Sequence, residues 1–228
     1  MSRPSDDVHD VQKTLILASG SPRRHKLLAL LGVPFWVTPA DVEEANQAGE
    51  GPAEMALRLS QSKARSISSR VGDSLVVGAD TLVCLEGEIL GKPANVAEAS
   101  EMLRRLRGKP HEVHSGVTLI TAPGAECCIS VTTTVRMRDY TDREIAAYVA
   151  SGDPLDKAGA YAIQHQELNP VARVDGCYAN VMGLPVCHLY RMLREAGFDG
   201  YQRPVTACDD LNQRTCRVAA ELLREVCP

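Results

Sequence analysis

The sequence predicts an α/β domain built on a mixed sheet, and three observations lead there. Short apolar runs of strand character alternate along the chain with amphipathic helical stretches. Residues 15–31 read as strand, tight turn and helix: Leu15-Ile16-Leu17, then a small-residue turn, then Leu27, Leu28, Leu30 and Leu31 on one helical face. His111 to Thr121 and Glu126 to Met137 both alternate in the manner of strands across Pro123-Gly124, so one pair is antiparallel and the sheet is not purely parallel.

Each element has a local reason. Ser21 suits an N-cap and Pro22 the first helical position. Phe35-Trp36-Val37 reads as a second strand that ends in the acidic loop Asp41-Val42-Glu43-Glu44. Pro52 starts a helix to about Arg70, with Met55, Leu59 and Ala64 on its apolar face and Arg58, Lys63 and Arg65 off it. Ser74 to Ala79 is β-rich and enters Asp80-Thr81, and Leu82 to Leu85 continues it. Glu86-Gly87-Glu88 turns the chain into Ile89-Leu90 as a hairpin. Asn95 caps a helix to about Leu106, and Thr141-Asp142-Arg143-Glu144 is a capping box for a helix that stops at Gly152. Asp153 to Gln164 reads as loop and Val171 to Val174 as a short strand. Pro185 starts a helix to about Ala196, with Gly197 as its C-cap. Beyond Arg203 a single short helix is expected from Leu211 to Val226. Its stripe of Leu211, Val218, Leu222 and Val226 suits a second subunit or self-packing equally. The chain thus divides into a mobile tail (1–13), a main domain (14–200) and a helical extension (201–228).

With 228 residues, 44% of them hydrophobic, there is material for one large α/β domain or two small lobes. A net charge of −4 argues against a general nucleic-acid binder but leaves room for a local basic pocket. No stretch approaches the roughly 20 apolar residues of a membrane span. The polar, acidic N-terminus is not a signal peptide. None of the eight cysteines forms a C-x-x-C pair, which argues against zinc, and without an export signal reduced thiols in a cytoplasm are expected. Cys127 and Cys128 read as core or edge residues of a strand.

The chemistry-bearing residues lie on the turns. Arg23 and Arg24 fall in the first helical turn, where cations oppose the macrodipole. They fit there if a phosphate sits against backbone N–H groups and guanidinium forks; otherwise they are two solvated arginines. Asp80, in Gly78-Ala79-Asp80-Thr81, sits where a hydrophobic strand stops, and strand ends line ligand crevices. Its carboxylate can hold a divalent cation, deprotonate water, or simply cap a turn. Lys92 and Lys157, in Gly91-Lys92-Pro93 and Asp156-Lys157-Ala158-Gly159, either approach phosphate oxygens as point charges or are solvated loop lysines. Glu44 is a second carboxylate for Mg²⁺ or an ordinary surface acid. There is no Walker A sequence, G-x-G-x-x-G, H-E-x-x-H or G-x-S-x-G, so phosphate binding needs another architecture. His25, His165 and His188 are isolated and read as structural or exposed.

Together these segments resemble the Maf family of nucleoside triphosphate pyrophosphatases. The matching pieces are ASGSPRRHKLLALLG (18–32), VEE (42–44), SKA (62–64), VVGADTLVCLEGEILGKP (76–93), MLRRLRGKPHEV (102–113), DPLDKAGAYAIQ (153–164) and DGCYANVMGLPV (175–186), within residues 14–197. The resemblance implies hydrolysis of a nucleoside triphosphate between its α and β phosphates with a divalent metal, Mg²⁺ or Mn²⁺. It also implies a bent mixed sheet with flanking helices and two lobes around a cleft, as in the inosine triphosphatase group, and a homodimer. Asp80 maps to the proton acceptor, and Glu44 joins it on the metal. Ser19, Arg23, Arg24, Lys63, Lys92 and Lys157 would surround the triphosphate, with Asp156 orienting Lys157 or holding a metal water. Arg23, Thr81 and Gln164 match positions that set base preference for dTTP and UTP; the 7-methyl-GTP subfamily carries Gln where this chain has Thr81. One departure is His165, an imidazole where the family pattern A-Y-G-I-Q-G has glycine, which would alter ring space at the base pocket. Competing readings are a pyrophosphatase for modified nucleotides such as 7-methyl-GTP and a nucleotide-binding cell-division regulator with little catalysis.

Overall fold

The apolar runs become seven strands of one mixed sheet: β1 (Thr14–Leu17), β2 (Phe35–Val37), β3 (Ser74–Leu85), β4 (Glu88–Leu90), β5 (Pro110–Ala122), β6 (Ala125–Met137) and β7 (Val171–Asp175). The structure, a computed structural model, describes residues 13–223. The expected N-terminal tail, apart from Lys13, lies outside the described residues, as do Val226 and Cys227. The strand order is β2-β1-β3-β5-β6-β7, with β4 also paired to β3. β1 runs parallel to β2 and β3, and every other pair is antiparallel. The helices are α1 (Pro22–Ala29), α2 (Pro52–Ser68), α3 (Val96–Leu106), α4 (Asp142–Ala150), α5 (Tyr178–Met182), α6 (Val186–Glu195), α7 (Val205–Asn212) and α8 (Arg217–Leu222). No described helix is long and apolar enough to cross a membrane.

β3 organises the molecule. One of its edges pairs with β5 over most of its length, from Val76 to Cys84. Its other edge pairs with β1 only as far as Val77 and with β4 only from Val83. Between them, from Gly78 to Leu82, β3 has no strand neighbour on that side among the described residues, and the sheet carries a notch. Asp80 and Thr81 lie in it. The expectation that Asp80 marks the end of a strand is therefore corrected. β3 runs on unbroken to Leu85, and it is β1 that stops, which leaves a crevice beside a continuous strand.

Successive residues of β3 point to opposite faces. On one face lies α2, over a small apolar cluster that includes Ile16, Val76, Ile120, Ala64 and Ile67. On the other face the main core contains residues from α1, α3, α4, α5 and α6. α2 lies very close to the sheet because two glycines face it. A Cβ on Gly78 would sit 2.2 Å from the Ser60 carbonyl oxygen, and one on Gly116 would sit 2.2 Å from that of Ala56. Both obstacles are backbone, so neither could move aside cheaply. Between the glycines, Ser60 Oγ and Thr118 Oγ1 share a hydrogen bond of 2.8 Å. This inlay brings Lys63, expected off the apolar face of its helix, onto the buried side, where it is 8% exposed.

Several elements differ from expectation. Ser21 is the N-cap residue of α1, but its side chain makes no capping bond. α2 ends at Ser68, short of Arg70. The 153–164 segment contains two 3₁₀ turns, Asp153–Asp156 and Ala158–Ala160. α5 has no sequence signal strong enough to separate it from a loop, since five residues give barely one turn. The single helix expected after Arg203 is two helices, broken by Gln213 in the left-handed region at φ 51°. They bury Cys208, Ala219 and Leu223 against the main core, while Leu211 of the expected stripe is 42% exposed. Cys127 is exposed and Cys128 half-buried, so neither is a core residue.

Two histidines sit where burial disfavours charge. His111 on β5 is 3% exposed and shares a 2.8 Å hydrogen bond with the Tyr161 hydroxyl. Burial lowers its pKa from 6.5 to about 4. Burial and the nearby Arg191 lower His188 to about 4 as well. In the unfolded chain both rings take up protons near pH 6.5, whereas the folded protein resists until about pH 4. Stability is therefore full above pH 6.5, falls through this window, and levels off below it, by up to about 3 kcal/mol for His111. Urea midpoints measured from pH 7 to pH 4.5 should fall, and fall less steeply in His111→Gln. Parallel profiles would show that the ring titrates as it does in water.

Candidate functional site

The notch opens into a cleft of about 880 Å³. Its walls are the β1–α1 turn, the β4–α3 turn, the two 3₁₀ turns, residues 161–164 and the end of α5. Ser19, Arg23, Arg24, Glu44, Lys63, Asp80, Thr81, Lys92, Asp156, Lys157 and Gln164 all line it. Residues from six separate segments of chain thus meet in one space.

Asp80 points from β3 toward α2, opposite Gly116 of β5. Lys63 Nζ donates to Asp80 Oδ1 at 2.5 Å and to Glu44 Oε1 at 2.6 Å, so one ammonium joins two carboxylates. Asp80 and Lys63 side chains are 8% and 10% exposed, while Glu44 is 58% exposed. Burial raises the Glu44 pKa, but the hydrogen bond and charge of Lys63, helped by Lys92 and Arg24, outweigh it and hold the group below its ordinary value. The second oxygen of Asp80 makes no hydrogen bond among the described residues, which leaves it an acceptor on the cleft floor.

Thr81 points to the opposite face. Its hydroxyl shares a 2.8 Å hydrogen bond with Ser115 Oγ and accepts from Arg24 Nη2 at 3.2 Å. Arg24 also donates to Ser19 Oγ at 3.1 Å and to the Gly183 carbonyl at 2.9 Å. Burial pushes the Arg24 pKa down, and Asp80 partly offsets this. Its guanidinium group is held by neutral acceptors and has no carboxylate in direct contact among the described residues, so its charge remains available to an anion in the cleft. Lys157 is 7% exposed and donates to Asp156 Oδ1 at 2.6 Å, to Asp153 Oδ1 at 2.9 Å and to the Asp153 carbonyl. Arg23 and Lys92 have no ion-pair partner among the described residues. The cleft thus holds five cations, of which three are fixed by protein groups and two are free to reach a ligand.

Residues 14–196 match the model of the Maf-like protein family. The chain belongs to the Maf family. It is 46% identical over 184 residues to a protein of Geobacter metallireducens named dTTP/UTP pyrophosphatase, covering 80% of this chain and 96% of that one. Proteins of the same name from Koribacter versatilis and Moorella thermoacetica are each 45% identical, covering 80% and 83% of this chain and 94% and 98% of theirs. Among solved structures it is similar to a HAM1 protein from Coxiella burnetii, at 17% identity and a TM-score of 0.48, covering 80% of this chain and 99% of that one.

In this Maf protein His165 does not enter the cleft. Its ring packs edge-on against Tyr148 with centroids 4.5 Å apart, and its Nδ1 accepts from the Leu168 amide at 3.1 Å. The expected change of ring space at the base pocket is thus corrected: the imidazole lies behind the loop that carries Gln164, and Gln164 itself is exposed at the cleft. Sequence reasoning missed Asp153 and the Gly183 carbonyl. The i, i+4 spacing of Asp153 and Lys157 could have revealed the first; nothing in the sequence marks the second. Replacing Lys63 with Ala should destabilise the Maf protein by about 3–5 kcal/mol in urea unfolding, because Asp80 would remain buried without a counter-charge. Asp80→Asn should be much milder, since Lys63 keeps Glu44. Equal losses in the two variants would contradict this account of the pair.

Proposed function

We propose that this Maf protein hydrolyses dTTP and UTP between the α and β phosphates, releasing the nucleoside monophosphate and pyrophosphate. The observation that carries this reading is the meeting of one buried carboxylate with a cationic wall in a single cleft, in a chain so similar to relatives named for that reaction. Arg23 and Lys92 meet the triphosphate directly, and Arg24 and Lys157 present charge from fixed positions. A preorganised wall of this kind stabilises negative charge on the equatorial oxygens of the transition state without rearranging at the moment of reaction. Asp80 accepts the proton of the attacking water through its unengaged oxygen, while Lys63 fixes the carboxylate in place. The water oxygen bonds to the α phosphorus as the bridging oxygen leaves with pyrophosphate.

The donor set suits a divalent cation such as Mg²⁺ or Mn²⁺. Mg²⁺ typically uses one or two carboxylates and completes its shell with substrate phosphates and water. Asp80 and Glu44 would hold it, and among the described residues no cluster of three His, Cys, Asp or Glu side chains forms a closed cage. When bound, the cation would neutralise phosphate charge and acidify water. Lys63 contacts both carboxylates, so its ammonium would share them with the metal.

Gln164, exposed at the cleft, both donates and accepts, which suits the O4 and N3–H edge common to uracil and thymine and penalises cytosine. A threonine at position 81, in place of the glutamine of the 7-methyl-GTP subfamily, supports the same preference. The seven described cysteines are all free thiols, in keeping with a cytoplasmic setting.

A pyrophosphate-release assay over the common and modified nucleoside triphosphates, with Mg²⁺ or Mn²⁺, should show dTTP and UTP turned over fastest. Asp80→Asn should lose at least about 100-fold in kcat while remaining folded; near-normal turnover would remove Asp80 as proton acceptor. Thr81→Gln should change the ranking of bases, and an unaltered ranking would place selectivity elsewhere.

A further inference from the structure

Tyr148 on α4 lies outside the cleft and is 3% exposed, yet its hydroxyl touches two of the cleft walls. It donates to Asp153 Oδ2 at 2.7 Å and accepts from the Ala162 amide at 3.0 Å. Asp153 holds Lys157 through its other carboxylate oxygen and its carbonyl. Ala162 lies in the Tyr161-Ala162-Ile163-Gln164 stretch that lines the cleft. From the other side, the Tyr148 ring packs on His165, the residue after Gln164. One phenol therefore ties the lysine-bearing turn to the glutamine-bearing loop.

We infer that Tyr148 is a positioning residue that couples phosphate binding at Lys157 to base reading at Gln164. The inference rests on the pyrophosphatase reading above and deepens it. Phenylalanine in its place would keep the ring and its packing on His165 but remove the hydroxyl. The buried Ala162 amide would then have no acceptor, and the Asp153 carboxylate would keep only its bond to Lys157. The amide would turn toward water and carry Gln164 with it. Asp80, Lys63 and Glu44 on the far side of β3 would be untouched.

The test compares Tyr148→Phe with Tyr140→Phe, which removes another buried hydroxyl, one that donates to the Leu103 carbonyl away from the cleft. Three quantities are measured: KM and kcat for UTP, the UTP-to-CTP ratio of kcat/KM, and the calorimetric Kd of α,β-methylene-UTP, which lacks the cleavable anhydride. Tyr148→Phe should raise KM and Kd about tenfold or more, lower the UTP-to-CTP ratio, and leave kcat within about threefold. Tyr140→Phe should melt earlier with all of these unchanged. A Tyr148→Phe protein with wild-type Kd and base ratio, or one matching Tyr140→Phe in every readout, overturns the inference while wild-type turnover of UTP leaves the pyrophosphatase reading standing. A wild-type protein that neither binds the analogue nor cleaves dTTP or UTP overturns both.

Discussion

The buried ion pair between Lys63 and Asp80 is the interaction on which the rest of the site depends. Two charges taken out of water are tolerated only when they meet in good geometry. The fold meets that condition by an approach of helix to sheet that only glycine permits. Gly116 lies directly across from Asp80, and Gly78 lies two residues before it on the same face. Side chains at either place would lift α2 off the sheet and draw the ammonium away from the carboxylate. Glu44, half-exposed, then extends the pair toward solvent and ties its loop to α2 through Lys63. The acidic floor and its surroundings are consequences of one close contact.

The cations are not equivalent in this arrangement. Arg24 and Lys157 are anchored by acceptors that fix their direction, and Lys63 is committed to carboxylates. Arg23 and Lys92 have no such ties among the described residues. Fixed charges give direction without reorganisation, and mobile ones can follow a ligand as it enters. A cleft with all five free would have to order them on each encounter; one with all five tied would have none able to move with the triphosphate.

Much of this was legible in the sequence, because turn chemistry and strand alternation are local signals. The strand–turn–helix at 15–31, the hairpin at 111–137 and the capping box at Thr141 all follow from neighbouring residues. The cleft lining was legible because its residues sit in contiguous motifs. What escaped depends on tertiary contact. The burial of Lys63 follows from glycines on two strands remote from it in sequence. The notch depends on where β1 ends, which Asp80's own neighbours do not encode. α5 is too short for periodicity to register. The break at Gln213 sets a non-glycine residue in a left-handed conformation, which no pattern of apolar residues announces.

The alternation of β3 places Asp80 and Thr81, adjacent in sequence, on opposite sides of the sheet. Neighbours of one are Lys63 and Glu44; neighbours of the other are Arg24, Ser115 and Gly183. Divergence among descendants can therefore act on two independent registers. Exchange at position 81 perturbs a hydroxyl network and leaves the charged triad undisturbed, whereas inserting or deleting a single residue upstream in the strand would invert both at once. Such a lineage should accept substitutions there far more readily than changes of length.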